Sequence, residues 1–551
     1  MLPFRKKAAQ ALLAGLPSFA VPADAIDTIP DPAAFRSALL QAIAQATRRI
    51  LIVALYLQDD DGGREILDAL YAAHAREPAL EISIFVDWHR AQRGLIGKQK
   101  SEGNAGMYRE YAERLGPGVV IYGVPVQNRE LFGVLHLKGV IIDDIVLYSG
   151  ASFNDVYLAT HGRYRLDRYH RLRDRELADA MADFLRRHFV EGEAVRRLNV
   201  PDVPTTRSLF PAIRTFRADL DQAQYEVPRT ALGDGDVAVT PLLGFGRADN
   251  LLNDVLLALL RGTRQRVILL TPYFNLPRPV RAVLGQLLRR GCEINIMVGD
   301  KTANDFYIPP PQPFRTIGLL PYLYENNLRR FARAHRRQMA SGQLNIYLWR
   351  DGDNSYHLKG LFVDDEIAVI TGNNFNPRAW ALDLENGLLL RDPSHRLTAT
   401  HAAEWAALKQ HAVRRWGAGA LVQALCFARR RDQPGQPQGQ PPIHVRPLFG
   451  HDAVADGVAQ RAVRTPLVRA QNAIALCAEP FDGALRIEVA MVGVELNGHA
   501  AQRFERVLQQ QALAGRVEMA FLPASGVPVL RRSLASHSAG RLAVRWARRF
   551  H

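Results

Sequence analysis

Short, wholly apolar runs alternate along this chain with stretches whose apolar positions return every three to four residues. The run Arg49-Ile-Leu-Ile-Val-Ala-Leu-Tyr-Leu57 reads as a buried strand. A helix is predicted next over Gly63–Arg76, with Ile66, Leu67, Leu70 and Tyr71 on one face, then a second strand over Leu80–Trp88. The same order returns later as a strand at Arg266–Phe274, a helix over about Pro279–Arg290 and a strand at Glu293–Val298. Strand–helix–strand units predict a parallel or mixed sheet covered by helices, an α/β fold. Each half then sets one more strand, Val119–Val124 or Leu344–Trp349, ahead of its most distinctive sequence. Two similar halves offset by roughly 220 residues point to an internal duplication.

On this reading residues 1–30 are an N-terminal arm, 31–200 the first half, 201–236 a helical bridge and 237–428 the second half. Residues 429–443, which hold RRRDQPGQPQGQPP, are an exposed Pro/Gln-rich linker. Residues 444–551 have weak periodicity and are assigned no fold.

Composition narrows the class. Hydrophobic residues make up 48% and charged residues 23%, which excludes a disordered, collagen-like or coiled-coil chain. Cys292, Cys426 and Cys477 are too widely spaced for a disulfide framework or a cysteine-built zinc site and fit a reducing compartment. No uncharged apolar run reaches the ~18–20 residues of a spanning helix. Ala8–Ala23, preceded by Arg5, Lys6 and Lys7, has the outline of a signal peptide, but Gln10, Pro17 and Pro22 interrupt it. Seventy basic against 55 acidic residues leave a net charge of +15, and 17 Arg against 9 acids from Ala428 onward supply +8 of it. Such an excess suits a polyanionic partner, either nucleic acid or an anionic membrane face.

The chemistry concentrates in two matching stretches. The first runs Val134-Leu-His136-Leu-Lys138 to Asp143-Asp144, then through Gly150 to Asn154. The second runs Ser355-Tyr-His357-Leu-Lys359 to Asp364-Asp365, then through Gly372 and Asn374 to Asn376. With 16 His and eight Lys in 551 residues, chance supplies about 0.2 His-x-Lys pairs, and here two recur in matching settings. On a strand, residues two apart share a face, so each His and Lys are expected to point together. Each Asp-Asp pair is expected to turn the chain into a return strand (Ile145–Tyr148, Ile367–Ile370). Asp143 and Asp364 are thus expected to fix the hairpin or a cation rather than act as a base. A pair of histidines suits phosphoryl transfer, one as nucleophile and the other as acid–base. Two lysines can neutralise the non-bridging oxygens in place of a metal. With no Mg²⁺-type carboxylate spacing and no Gly-rich phosphate loop, no metal and no cofactor is expected.

These paired motifs resemble those of the phospholipase D superfamily. The strings VALYLQDDDGG (Val53–Gly63), VDWHRAQRG (Val86–Gly94), TPYFNLP (Thr271–Pro277), VGDKTANDFYIP (Val298–Pro309), LPYLYENNLRRF (Leu320–Phe331) and GNNFNPRAWALDLEN (Gly372–Asn386) are similar to the bacterial type II phosphatidylserine synthases, over about Pro30–Asp392. The resemblance implies a duplicated phospholipase D-like fold with one active site between its halves. It also implies transfer of a phosphatidyl group from CDP-diacylglycerol to L-serine, at the inner membrane face, by a peripheral protein of the cytoplasm. By the same resemblance, His136, Lys138 and Asp143 with His357, Lys359 and Asp364 are the catalytic set, and Asn154, Asn374 and Glu385 support it. Glu385 lies where an acid orients a motif His, whereas the first half has the stretch Asp167-Arg168-Tyr169-His170 instead, with Tyr169 read as the counterpart. That asymmetry favours His136 as nucleophile. Lys301 and Asp305, in a loop after a strand end, and Tyr273 and Asn275, at another, are candidate substrate contacts. Arg329-Arg330 is read as a solvated or lipid-facing helix surface. Beyond about Ser394 the chain departs from the family pattern. A cardiolipin synthase or a phospholipase D-type hydrolase shares the motif pairs, and a nuclease would also use the charge, although nucleic acid is the less favoured partner.

Overall fold

The computed structural model describes residues 2–94, 103–309, 311–313 and 316–415, with four strands beyond residue 473. The linker at 429–443 lies outside the described residues.

Two sheets carry the repeated order. In the first, the strands Val120–Val124, Glu81–Asp87 and Arg49–Val53 run parallel, and Gly139–Ile142, Ile145–Ser149 and Tyr169–Arg173 continue antiparallel. In the second, Leu344–Trp349, Glu293–Gly299 and Arg266–Leu270 are followed by Gly360–Val363, Ile367–Thr371 and Glu385–Arg391 with the same directions. The expected strands and helices stand within a few residues of their places. Arg49–Val53 is buried throughout, as a strand covered by helices on both faces must be. The helices between strands are capped by their own sequence: Asp60 accepts from the Gly63 amide, and Asn250 from that of Asn253.

Both Asp-Asp pairs turn the chain. Asp143 (φ 50°) and Asp364 (φ 52°) occupy the left-handed region, which Asp tolerates better than branched residues. The Asp143 carboxylate accepts from the Thr47, Arg48 and Arg49 amides, and that of Asp364 from Arg264, Gln265 and Arg266. Burial raises the pKa of Asp143, and these donors overcome that and hold it below its ordinary value. The motif aspartates therefore pin each hairpin to the start of the adjacent strand.

Residues 1–30 are more than an arm. Phe19–Pro22 pairs with Asp236–Val239 at the edge of the second sheet, and Ile26–Ile29 pairs with Tyr169–Leu172 of the first. The segment straps both sheets. Within 201–236 the helix Phe210–Gln222 buries Ile213, Phe216 and Leu220 in the core of the first half. Past Ser394 the order continues: a helix over Thr398–Gln410 leads to Ala412–Arg415, which pairs with Leu344–Trp349. A separate unit spans Gly435–His551, for which no fold was expected. Its described residues form a four-stranded sheet: Ile474–Phe481, Ala484–Met491, Val517–Leu522 and Arg531–Arg532.

Candidate active site

Each His-x-Lys segment is extended but stands just before its strand, where it pairs with the opposite half. His136 N–H donates to Leu384 O at 2.9 Å, and Leu384 N–H to Val134 O at 3.0 Å. Reciprocally, His357 N–H donates to Leu166 O at 2.9 Å and Ser355 N–H to Tyr164 O at 3.0 Å. The period of two places Leu137 and Leu358 in the hydrophobic core. His136, Lys138, His357 and Lys359 are buried on the other side of their segments.

This exchange sets the acids. Leu384 precedes Glu385, whose carboxyl meets His136 Nδ1 at 2.9 Å. Leu166 precedes Asp167, whose carboxylate lies 3.4 Å from His357 Nδ1 and accepts from Lys359 Nζ at 2.6 Å. Glu385 thus serves the histidine of the other half, not His357, whose motif it follows. The ladders also move the first-half equivalent: Ile145 pairs with Arg173 and Ile367 with Arg391, which aligns Asp167, not Tyr169, with Glu385. Each half lends an acid to the other.

The lysines fit because a glycine faces each of them. A side chain on Gly150 would overlap Lys359 and Asp167, and one on Gly372 would press on Lys138 and the His136 carbonyl. Asn386, next to Glu385, accepts from Lys138 N–H and donates to Lys138 O, both at 2.9 Å, which fixes the backbone on either side of that lysine's chain. Arg168, next to Asp167, forms a buried two-pronged ion pair with Glu404 and donates to Val369 O, across the halves.

Burial governs the charges. It holds His136 well below its ordinary pKa, helped by Lys138 and Lys359, and brings His357 down to about 4 with help from Lys359. Burial brings Lys138 down to about 7. The acids diverge. Burial, reinforced by Asp383, pushes Glu385 well above its ordinary range. Burial also opposes the charge on Asp167, but Lys359 and His357 prevail and lower it.

The remaining expected residues scatter. Asn154 accepts from Tyr157 N–H, capping a turn, and Asn376 does the same for Ala379 N–H. The counterpart of Asn154 is therefore Asn376 rather than Asn374, whose backbone carbonyl accepts from Thr271. The ring of Tyr273 stands edge-on to His357 at 5.7 Å, and its hydroxyl donates to Asp305 at 2.7 Å. These two reach the site. Asn275 instead accepts from Asn327. Lys301 is buried, 4.7 Å over the Tyr322 ring and 3.8 Å from Glu325. Arg329 is paired with the same glutamate, so only Arg330 of that pair is exposed. Asp167, Tyr157 and Arg165 were missed; the Tyr157 hydroxyl lies 2.8 Å from His357 Nδ1. Among the described residues the fold also brings Asp61 beside Asp155 and His161, in one group able to hold an ion.

The family described as "Cardiolipin synthase, PLD-like domain" matches residues 256–408. The chain is 48% identical to the CDP-diacylglycerol–serine O-phosphatidyltransferase PssA of Escherichia coli, over 74% of this chain and 90% of that protein. It is 44% identical to the corresponding Haemophilus influenzae enzyme, over 75% and 91%. The crystal structure of phosphatidylserine synthase from H. influenzae superposes with a TM-score of 0.73 at 42% identity, covering 77% of this chain and 98% of that one.

Proposed function

The chain belongs to the CDP-diacylglycerol–serine O-phosphatidyltransferase family, the phosphatidylserine synthases, and on that premise we propose that it makes phosphatidylserine and CMP from CDP-diacylglycerol and L-serine through a phosphatidyl-histidine. The observation that carries the mechanism is the pair of buried histidines, each facing an acid from the other half.

His136 is the nucleophile. Burial keeps it neutral, and with its Nδ1 proton held toward Glu385 the Nε2 lone pair is free to attack. The nitrogen–phosphorus bond forms to the phosphorus bearing diacylglycerol, and the bond from that phosphorus to the CMP oxygen breaks. His357, protonated once the anionic phosphates of the substrate offset burial and the Lys359 ammonium beside its Nδ1, gives its proton to that oxygen. Asp167, held anionic, faces the same ring and favours that charge. In the second step the serine hydroxyl returns a proton to His357 and attacks phosphorus, and the bond to His136 breaks. Lys138 and Lys359 offset the negative charge of each transition state.

Among the described residues no helix is long and apolar enough to cross a membrane. The +15 charge supports peripheral attachment to an anionic surface on the cytoplasmic side. The test is incubation with CDP-diacylglycerol in mixed micelles, with and without L-serine, reading CMP and lipid product. Serine-dependent CMP release with phosphatidylserine as product is expected. Phosphatidate alone would favour a hydrolase.

A further inference from the structure

We propose that Arg165 and Asp305 form the acceptor subsite, binding the carboxylate and ammonium of a free zwitterionic amino acid so that its hydroxyl meets His357. This rests on the transferase reading above, in which the motif lysines offset the phosphoryl charge and the motif aspartates pin the hairpins.

The placement follows from the exchange between the halves. Arg165 begins the two-residue strand that pairs with Ser355–Tyr356, directly ahead of His357. Its Nε donates to Ser355 Oγ at 3.2 Å, which leaves the outer edge of the guanidinium turned toward Asp305. Among the described residues, that edge approaches Asp305 Oδ2 at only 3.9 Å, beyond an N–H···O hydrogen bond. The two charges therefore form an ion pair without a direct hydrogen bond. Both are largely enclosed, with side-chain exposures of 17% and 13%.

Two tyrosines tie this pair to the acid–base. The Arg165 guanidinium stands 5.0 Å over the Tyr157 ring, whose hydroxyl reaches His357 Nδ1. Asp305 accepts through its other oxygen from Tyr273, whose ring abuts His357. A guanidinium edge receives a carboxylate in two parallel hydrogen bonds. Asp305 Oδ2, which among the described residues makes no direct hydrogen bond, can accept from an ammonium. A β-hydroxy α-amino acid carries all three groups within a few bonds, so both charges can be held while its hydroxyl lies beside His357. An enclosed charge left without its mate rejects an analogue that lacks the matching group.

The test uses the full-length protein with CDP-diacylglycerol in mixed micelles and three acceptors: L-serine, L-serinamide, which lacks the carboxylate, and 3-hydroxypropionate, which lacks the ammonium. The wild type should prefer L-serine over each analogue by about 100-fold in kcat/KM. Arg165→Gln should collapse the preference over L-serinamide to within about fivefold, and Asp305→Asn that over 3-hydroxypropionate. Arg165→Lys keeps the charge without the two-pronged edge, so it remains informative if Arg165→Gln fails to fold; its preference over L-serinamide should fall about tenfold. Variants that slow all three acceptors equally, with wild-type ratios kept, overturn the subsite. A wild type that yields no serine product overturns the transferase reading and the subsite with it.

Discussion

In the first half His136 faces Glu385, a carboxyl crowded by Asp383 and pushed toward its neutral form; in the second, His357 faces Asp167, a carboxylate held charged by Lys359. The two places are equivalent in the strand ladders. The second histidine also touches Tyr157, third after the capping Asn154, whereas Ala379 stands third after Asn376. The duplicated backbone supplies the same frame twice, and the neighbours of each acid set its polarity. On the proposed mechanism this difference assigns attack to one histidine and proton transfer to the other, although their motifs read almost alike.

The largest effects should come from removing either histidine. His136→Ala and His357→Ala are each expected to cut turnover by about 10⁴-fold or more, because the two act as a unit. Trapping separates them. Acid quench of enzyme with labelled CDP-diacylglycerol, without serine, should place the label on the His136 peptide. Label on the His357 peptide would invert the comparison. Lys138→Met and Lys359→Met should each cost roughly 10²–10³-fold in kcat.

Much of the frame was readable beforehand. The parallel strands follow from short apolar runs, the shared side of each His and Lys from a period of two, and the hairpins from Asp-Asp turns, all of which are local. The partner exchange was not readable, because it depends on pairing between segments such as Leu135 and Leu384. Asp167 was hidden for a related reason. The connections ahead of the two acids, 150–166 and 372–384, differ in length, so counting from each His sets Glu385 against the wrong residue. Only the register Ile145–Arg173 and Ile367–Arg391 aligns them. Asn374 was misplaced because the second stretch holds several asparagines and only the hydrogen bond to the Ala379 amide marks the capping one.

The acids give the next effect. Asp167→Asn leaves Lys359 buried without its counter-charge and should lower kcat by roughly 10²-fold and shift the pH profile. Glu385→Gln removes a group already inclined to neutrality and should cost nearer 10-fold, with little change of profile. Equal losses and equal pH shifts in the two variants would abolish the distinction between the halves.

Acid should expose the cost of burial in both halves. Burial depresses His357 to about 4, His170 to about 3, and His136 well below its ordinary value. The unfolded chain therefore binds more protons than the folded one below about pH 6.5. The stability tied to these histidines is complete above that pH and is lost as pH falls toward 4, by up to about 1.4 kcal/mol for each pKa unit of depression. Thermal unfolding followed at pH 7.5 and pH 5 should show the lower midpoint at pH 5. His170→Gln should flatten the slope, and an unchanged slope would remove that histidine from the account.

The smallest effect is expected at Asp61, Asp155 and His161, a group of the first half alone, since Pro377 stands where the second half would need its Asp155. Asp61 and His161 meet at 2.9 Å with 72% and 60% of their side chains exposed. Solvent screens such a site, and the hydrogen bonds reported for His136, Lys138, His357 and Lys359 do not pass through it. If the lysines do the charge work, chelation should leave the comparison between the halves untouched. EDTA and Asp61→Asn are each expected to change turnover by less than about twofold, as for an exposed substitution away from the chemistry. Loss of most activity on chelation, restored by Mg²⁺ or Mn²⁺ and mimicked by Asp61→Asn, would show that a cation beside the first half shares the work assigned to Lys138 and Lys359.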